Sequence, residues 1–334
     1  MKVRFVLVWL LLLAGCATRK EETLTRFEFE KPQMGVPFRI VMYASSTNVA
    51  SEAAEAAFKR VSQLNDILSD YDYDSELSKL GRTSGTGESV KVSEELWTVL
   101  LKAQEVSKAS DGALDVTVGP YVQLWRRARR ERKLPTADAI EKARRRVGYT
   151  NMILKDRAVE LKAPDMRLDV GAIGKGYAAD EAMRVLKKLG IARAFAAASG
   201  DMCLGEAPPG QKGWKIQLLE AKDEGGQGFL VLKNCGVATS GDLFQFVEIE
   251  GKRYSHIVDP KTGVGLTDRS LVTVVAKDGI TADALSTTVS VMGPDEGLKL
   301  ARRYGAEARE VRQNETGRVE KSTAGFWKNA IWLK

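Results

Sequence analysis

Strand-like and helix-like patterning fall in blocks along this chain instead of alternating unit by unit. Residues 27–43 alternate as one or two strands broken at Met34-Gly35, where glycine permits a close backbone approach or a bulge. Apolar residues then recur at three- and four-residue intervals over 51–68 and 93–110, with Ser93 as an N-cap ahead of two glutamates. The stretches 136–148 and 176–189 read as helices with basic last turns and terminal glycines. Strand patterning dominates 193–276, with loops at 206–213 and 223–228 and a hairpin turn at Glu250-Gly251. Helices at 281–292 and 294–304 precede the last strands. Such blocks predict an α+β fold with mixed or antiparallel sheets and packed helices, and argue against a doubly wound parallel sheet.

With 334 residues, 44% of them hydrophobic, the chain can bury a large core. Its formal net charge of +7 is mild. The basic run at 126–133, with Arg144 to Arg146 downstream, has the composition of a phosphate-backbone contact. It shares a helical stretch with Glu131 and has only Trp125 at its edge as a stacking aromatic, so a solvated helix face fits better and no nucleic-acid partner is expected.

The apolar run at 5–13 follows Lys2 and Arg4 and is too short for the ~20 residues of a spanning helix. It reads as a signal peptide over 1–15. Leu13-Ala14-Gly15-Cys16 resembles a bacterial lipoprotein box, in which Cys16 is lipidated; an ordinary export signal is the alternative. The expected organisation is therefore a signal, a polar tether over 16–26 and one folded unit over 27–334. The chain would be exported and lipid-anchored to a bacterial membrane. In that compartment Cys203 and Cys235 could pair or remain free thiols, and with one histidine in the chain they form no zinc pattern.

Four segments carry chemistry rather than packing. Asp169-Val-Gly-Ala-Ile-Gly-Lys-Gly-Tyr-Ala-Ala-Asp180 is a glycine-rich turn running into a helix, suited to phosphate but matching neither a Walker loop nor a dinucleotide fingerprint. Tyr254-Ser-His256-Ile-Val-Asp259-Pro-Lys-Thr-Gly263 holds the only histidine, on a strand entering a proline turn; such a residue is either structural or an acid/base. Thr281-Ala-Asp283-Ala-Leu-Ser-Thr287 puts a carboxylate and a hydroxyl on one helix face, fit for a hard cation such as Mg²⁺ or for a simple cap. Ser110-Asp-Gly-Ala-Leu-Asp115-Val-Thr-Val-Gly-Pro120 reads as loop, strand and turn.

In this order and at roughly these spacings, the four segments resemble the ApbE family, the FAD:protein FMN transferases. Met34-Gly35, Tyr71 with Ser75-Glu76-Leu77-Ser78, Ser199-Gly200-Asp201 and Ala238-Thr239-Ser240-Gly241 add to the match, which runs from about residue 30 to 300. Val36, Gly81 and Ser199 depart from the family pattern. The resemblance implies a two-lobed single catalytic unit that binds FAD, uses Mg²⁺ and moves FMN onto a threonine hydroxyl of a partner protein, releasing AMP. It implies that Met34 and Tyr71 hold the nucleotide, with Tyr71 against adenine, and that Ala113, Leu114 and Asp115 line the same groove. Asp169 and Lys175 would contact FAD. The main-chain oxygen of Ala172 would join Asp283 and Thr287 around Mg²⁺, and His256 and Ile257 would flank the diphosphate with His256 as acid/base.

The family's flavin-acceptor motif is not found in this chain, so the acceptor must be another protein. By resemblance it is an exported subunit of a flavin-dependent electron-transfer system, such as an ion-pumping quinone oxidoreductase. Two other readings compete: an Mg²⁺-dependent FAD diphosphatase giving FMN and AMP, and a lipid-anchored FAD-binding protein without catalysis.

Overall fold

Eight strands pair edge to edge in the order in which the chain makes them, with helices inserted between some of them. They are β1 (Thr25–Gln33), β2 (Val36–Ala44), β3 (Ala194–Ala198), β4 (Asp201–Leu204), β5 (Cys235–Gly241), β6 (Arg269–Ala276), β7 (Glu307–Asn314) and β8 (Gly317–Ser322). Every ladder is antiparallel. A parallel pairing among the described residues is the isolated bridge between Val118 and Arg167. The α+β expectation therefore holds, with antiparallel sheets. This computed structural model describes residues 23–223, 226–242, 245–314 and 317–333.

The break between the first two strands is a two-residue turn, not a bulge: Met34 and Gly35 take φ values of 51° and 74°, the left-handed pair that suits a tight hairpin. Among the described residues the α-helices are α1 (Thr47–Leu68), α2 (Glu76–Gly81), α3 (Glu94–Ala109), α4 (Gly119–Glu131), α5 (Ala137–Arg144), α6 (Gly174–Lys188), α7 (Gly279–Met292) and α8 (Pro294–Arg303). Strand alternation sorts the core into two sides. Phe38, Ile40 and Met42 of β2 pack with Ala54, Ala57, Val61 and Leu64 of α1 and with apolar residues of α3, α6 and α7. Val41, between Ile40 and Met42, faces the other way. It packs in a cluster with Phe195 and Val237 of the same sheet and with Trp214 and Leu230 of a covering small sheet made of Trp214–Asp223, Gly226–Leu232 and Ala330–Leu333. A third cluster joins Tyr121 and Trp125 of α4 to Val247, Ile249, Tyr254 and Val258.

Several sequence expectations are corrected. The first helix starts at Thr47, because Ser46 accepts the amide of Val49 and caps it early. The helix expected over 136–148 keeps its Thr136 cap but ends at Arg144. The helix expected from residue 176 starts at Gly174, so Lys175 and Gly176 lie inside its first turn. No strand forms over 110–120. Asp115 is buried there and folds the loop on itself, accepting the amide and hydroxyl of Thr117 and the amide of Tyr149.

The strand at 252–255 stops one residue before His256. β1 begins at Thr25, inside the span assigned to the tether. The signal peptide and Cys16 lie outside the described residues. No described helix is long and apolar enough to cross a membrane. Cys203 lies opposite Gly236, and Cys235 opposite Leu204, so the two thiols point to opposite faces of the sheet and are both free.

Candidate active site

Two helix N-termini meet at Gly176 and Gly279. A Cβ on Gly279 would lie 2.6 Å from the Gly176 carbonyl oxygen, and one on Gly176 would overlap the Gly279 carbonyl, so only glycine lets α6 and α7 approach this closely. The Gly176 amide donates to Asp283 Oδ2 at 2.8 Å. Turned that way, it leaves the carbonyl of Ala172, four residues before it, with no backbone donor among the described residues. Thr287 stands one helical turn beyond Asp283. The hydroxyls of Ser286, Thr288 and Ser290 all close onto helix carbonyls, whereas that of Thr287 has no such bond among the described residues.

The Ala172 carbonyl and the Thr287 hydroxyl thus offer oxygens without a hydrogen-bond partner among the described residues, and Asp283, although it accepts the Gly176 amide, adds a carboxylate with further lone pairs, a donor set that fits Mg²⁺. Among the described residues, no three His, Cys, Asp or Glu side chains converge on a cation site. A cation here would draw on main-chain and hydroxyl oxygens.

Lys175 bonds Asp201, and its Nζ lies 3.8 Å from Asp283 Oδ1. Burial alone would lower its pKa, but Asp201 and Asp283 outweigh burial and the net shift is upward, so the ammonium stays charged. Burial, then the Asp201 carboxylate, push Asp283 up against the pull of Lys175. Asp201 follows a tight turn in which Ser199 has φ 57°. One lysine between two buried carboxylates leaves excess negative charge, which a cation can compensate.

Tyr71 and Asp169 are joined by a residue that sequence reasoning placed in solvent. Arg126 bonds Asp70 Oδ2 at 2.5 Å and Asp169 Oδ2 at 3.3 Å, and its guanidinium lies 4.0 Å from the Tyr71 ring centroid. The solvated-face reading is therefore wrong for Arg126, although Arg129 and Arg130 are exposed. Tyr71 is 79% exposed, so its ring is available to a planar ligand. The Asp169 carboxylate also accepts the Gly171 amide at 2.8 Å. The Met34 methyl lies 3.9 Å from where a Cβ on Gly174 would stand. Ala113 and Leu114 are buried, and Asp115 spends one carboxylate oxygen on Thr117 in its own loop and the other on the amide of Tyr149, 34 residues further on.

The loop after residue 255 holds His256 at the edge of the third core cluster. Trp125 donates to the Gly263 carbonyl at 2.8 Å and packs 5.0 Å from Tyr254, fixing this loop against α4. His256 Nδ1 lies 3.1 Å from the Gln245 carbonyl, and because a carbonyl only accepts, that nitrogen carries the proton. Desolvation by the surrounding chain lowers the imidazole pKa, and Arg129 and Lys175 push the same way. Ile257 is buried, its amide donating to Ser255 Oγ at 3.1 Å.

The structure thus brings together Lys175, Asp201 and Asp283 by contact, with His256 near enough for Lys175 to act on its charge, and Tyr71, Asp169 and Arg126 by contact. Arg126 and Asp70 were missed because their pairing partners are far away in sequence; the acid-rich stretch 70–74 was the available signal.

A charged, half-buried ammonium between two buried carboxylates and an imidazole with one free nitrogen make a candidate enzyme site for a phosphate-bearing ligand. The chain belongs to the ApbE family, whose family model matches residues 34–309. It is 30% identical over 324 residues to an FAD:protein FMN transferase of Vibrio cholerae, covering 95% of each chain. The FAD:protein FMN transferase of Haemophilus influenzae is 32% identical over 287 residues, 83% of this chain and 82% of that one. In three dimensions it resembles the apo flavinyl transferase ApbE of Pseudomonas stutzeri with a TM-score of 0.81 at 28% identity, over 92% of this chain and 97% of that one.

Proposed function

We propose that this chain transfers FMN from FAD onto a protein, and that the acceptor atom is a threonine hydroxyl. The observation that carries this reading is the buried Lys175–Asp201–Asp283 cluster at the joined starts of α6 and α7, within electrostatic reach of His256. Lys175, whose ammonium stays charged, orients the diphosphate. The threonine oxygen forms a bond to the phosphorus of the FMN half, the anhydride P–O bond breaks, and AMP leaves with the bonding electrons. The threonine proton passes to Nε2 of His256, the nitrogen left free once Nδ1 donates to Gln245. Ala172, Asp283 and Thr287 would hold Mg²⁺. When bound, it neutralises charge developing on the diphosphate oxygens.

The N-terminal pattern extends the reading: Cys16 carries lipid and holds the enzyme on the outward side of a bacterial membrane, so the acceptor is itself exported. Ion-pumping quinone oxidoreductase subunits fit that description. His256 is exposed, which favours water as a competing nucleophile and hence a diphosphatase side reaction.

The test is incubation with FAD, Mg²⁺ and a candidate acceptor, read by intact mass. Covalent FMN on the acceptor threonine is the expected result. An unmodified acceptor with FMN and AMP accumulating assigns a diphosphatase, and unconsumed FAD assigns a binding protein.

A further inference from the structure

Asp180 lies on α6 beyond the glycine-rich turn, and its carboxylate is committed to another helix. Its two oxygens accept the amides of Gly279 at 2.7 Å and Ile280 at 2.9 Å, the first two residues of α7. The next amide, that of Thr281, goes to Asp278 Oδ1 at 3.0 Å. The start of α7 is therefore satisfied from α6 as well as from its own cap. The exchange is reciprocal. Asp283 of α7 accepts the Gly176 amide in the first turn of α6. Each helix thus caps the start of the other, with Gly176 and Gly279 in contact between the two carboxylates.

Because the backbones touch at those glycines, a change at one carboxylate moves the other helix rather than being absorbed by side chains. Asp180 itself does not belong to the candidate active site. It lines a separate cavity of about 550 Å³ with Cys203, Lys187 and Lys277, and that cavity includes none of Lys175, Asp283 and His256.

We propose that Asp180 is a positioning residue for the metal and phosphate site, acting through α7 to fix where Asp283 and Thr287 stand relative to Lys175. This inference rests on the transferase reading and on Mg²⁺ being held by Ala172, Asp283 and Thr287. Asp180→Asn keeps the shape and one acceptor oxygen but turns an NH₂ group toward an amide, breaking one of the two bonds.

The experiment titrates Mg²⁺ into the FAD-loaded full chain and follows flavin fluorescence, with no acceptor present, alongside the melting temperature. Partners one step removed from a metal typically govern its affinity by roughly 10- to 100-fold, so Asp180→Asn is expected to weaken Mg²⁺ binding by that order. FAD affinity measured without metal should change less than about twofold, on the argument that the lysine and Tyr71 contacts are untouched. Asp283→Ala, measured in parallel, separates the two ideas. If Asp283→Ala loses Mg²⁺ binding while Asp180→Asn binds it as the wild type does, Asp180 has only a structural role and the proposal is overturned. If Asp283→Ala also binds Mg²⁺ normally, the metal assignment itself has failed and the proposal falls with it. Should Asp180→Asn not fold, Asp180→Glu, which keeps the charge and displaces it by one methylene, decides by the same two outcomes.

Discussion

The guanidinium of Arg126 covers one face of the exposed Tyr71 ring at 4.0 Å while its nitrogens bind Asp70 and Asp169. One side chain thereby fixes an aromatic surface and a half-buried carboxylate that lie about a hundred residues apart in sequence. Arg126→Ala should free the ring and leave Asp169 without its cation. FAD affinity is expected to fall about tenfold, roughly 1.4 kcal/mol, measured by quenching of flavin fluorescence. Arg126→Lys should recover little, since an ammonium cannot bind two carboxylates and stack at once. Unchanged affinity in the alanine variant would remove Tyr71 and Asp169 from the nucleotide site.

His256→Ala should still bind FAD but transfer FMN about 10²- to 10⁴-fold more slowly. The pH profile supplies a second check. A base works when deprotonated, and desolvation places the His256 pKa below its ordinary value, so the wild-type rate should stay level at pH 7 and fall only in acid below about 6.5. An acid limb above that value would contradict the proposed base.

Asp180 offers a stability measurement. Burial raises its pKa to about 6 against the pull of the Ile280 and Gly279 amides, whereas in the unfolded chain an aspartate titrates near 4. Between those values the folded protein holds the extra proton, so this contribution to stability is present below about pH 4 and is lost as pH rises through 6. Its size is on the order of 3 kcal/mol. The difference in unfolding free energy between wild type and Asp180→Asn should change by that order between pH 4 and 7. Parallel curves would place the shift elsewhere.

Gly176→Ala should be far more damaging than an alanine in a helix normally is. The added methyl meets the backbone of Gly279, which cannot rotate away, so α6 and α7 must separate. Overpacking of this kind costs about 1–3 kcal/mol, read as a lowered denaturant midpoint, and transfer should be lost even in the folded fraction.

Cys16→Ser should release soluble protein from the membrane fraction. Wild-type chain recovered with Met1 retained and no lipid would refute the anchor.

Local signals were legible wherever the causes were local. Ser93 and Thr136 cap helices as their spacing predicts, and Glu250-Gly251 turns a hairpin with both residues at positive φ. The residues after 110 misled because alternation there is real, but Asp115 supplies the bonds that a neighbouring strand would have given. The site was legible as motifs and not as connections. Asp180 looked like the end of a motif, since the amides it binds are 99 and 100 residues away. Arg126 looked like one member of a charged run until Asp70 and Asp169 drew it inward.

The sheet's strand order has a consequence for biogenesis. A chain that emerges N-terminus first during synthesis can lay down β1 through β5 by adding each strand to the growing edge, with no place held open for a later arrival. Lys175 and Asp201 are then already in position, but Asp283 arrives only with α7, after β6 has docked. The cation site proposed at Ala172, Asp283 and Thr287 is therefore incomplete until α7 has formed, so no shorter stretch of the growing chain can assemble it.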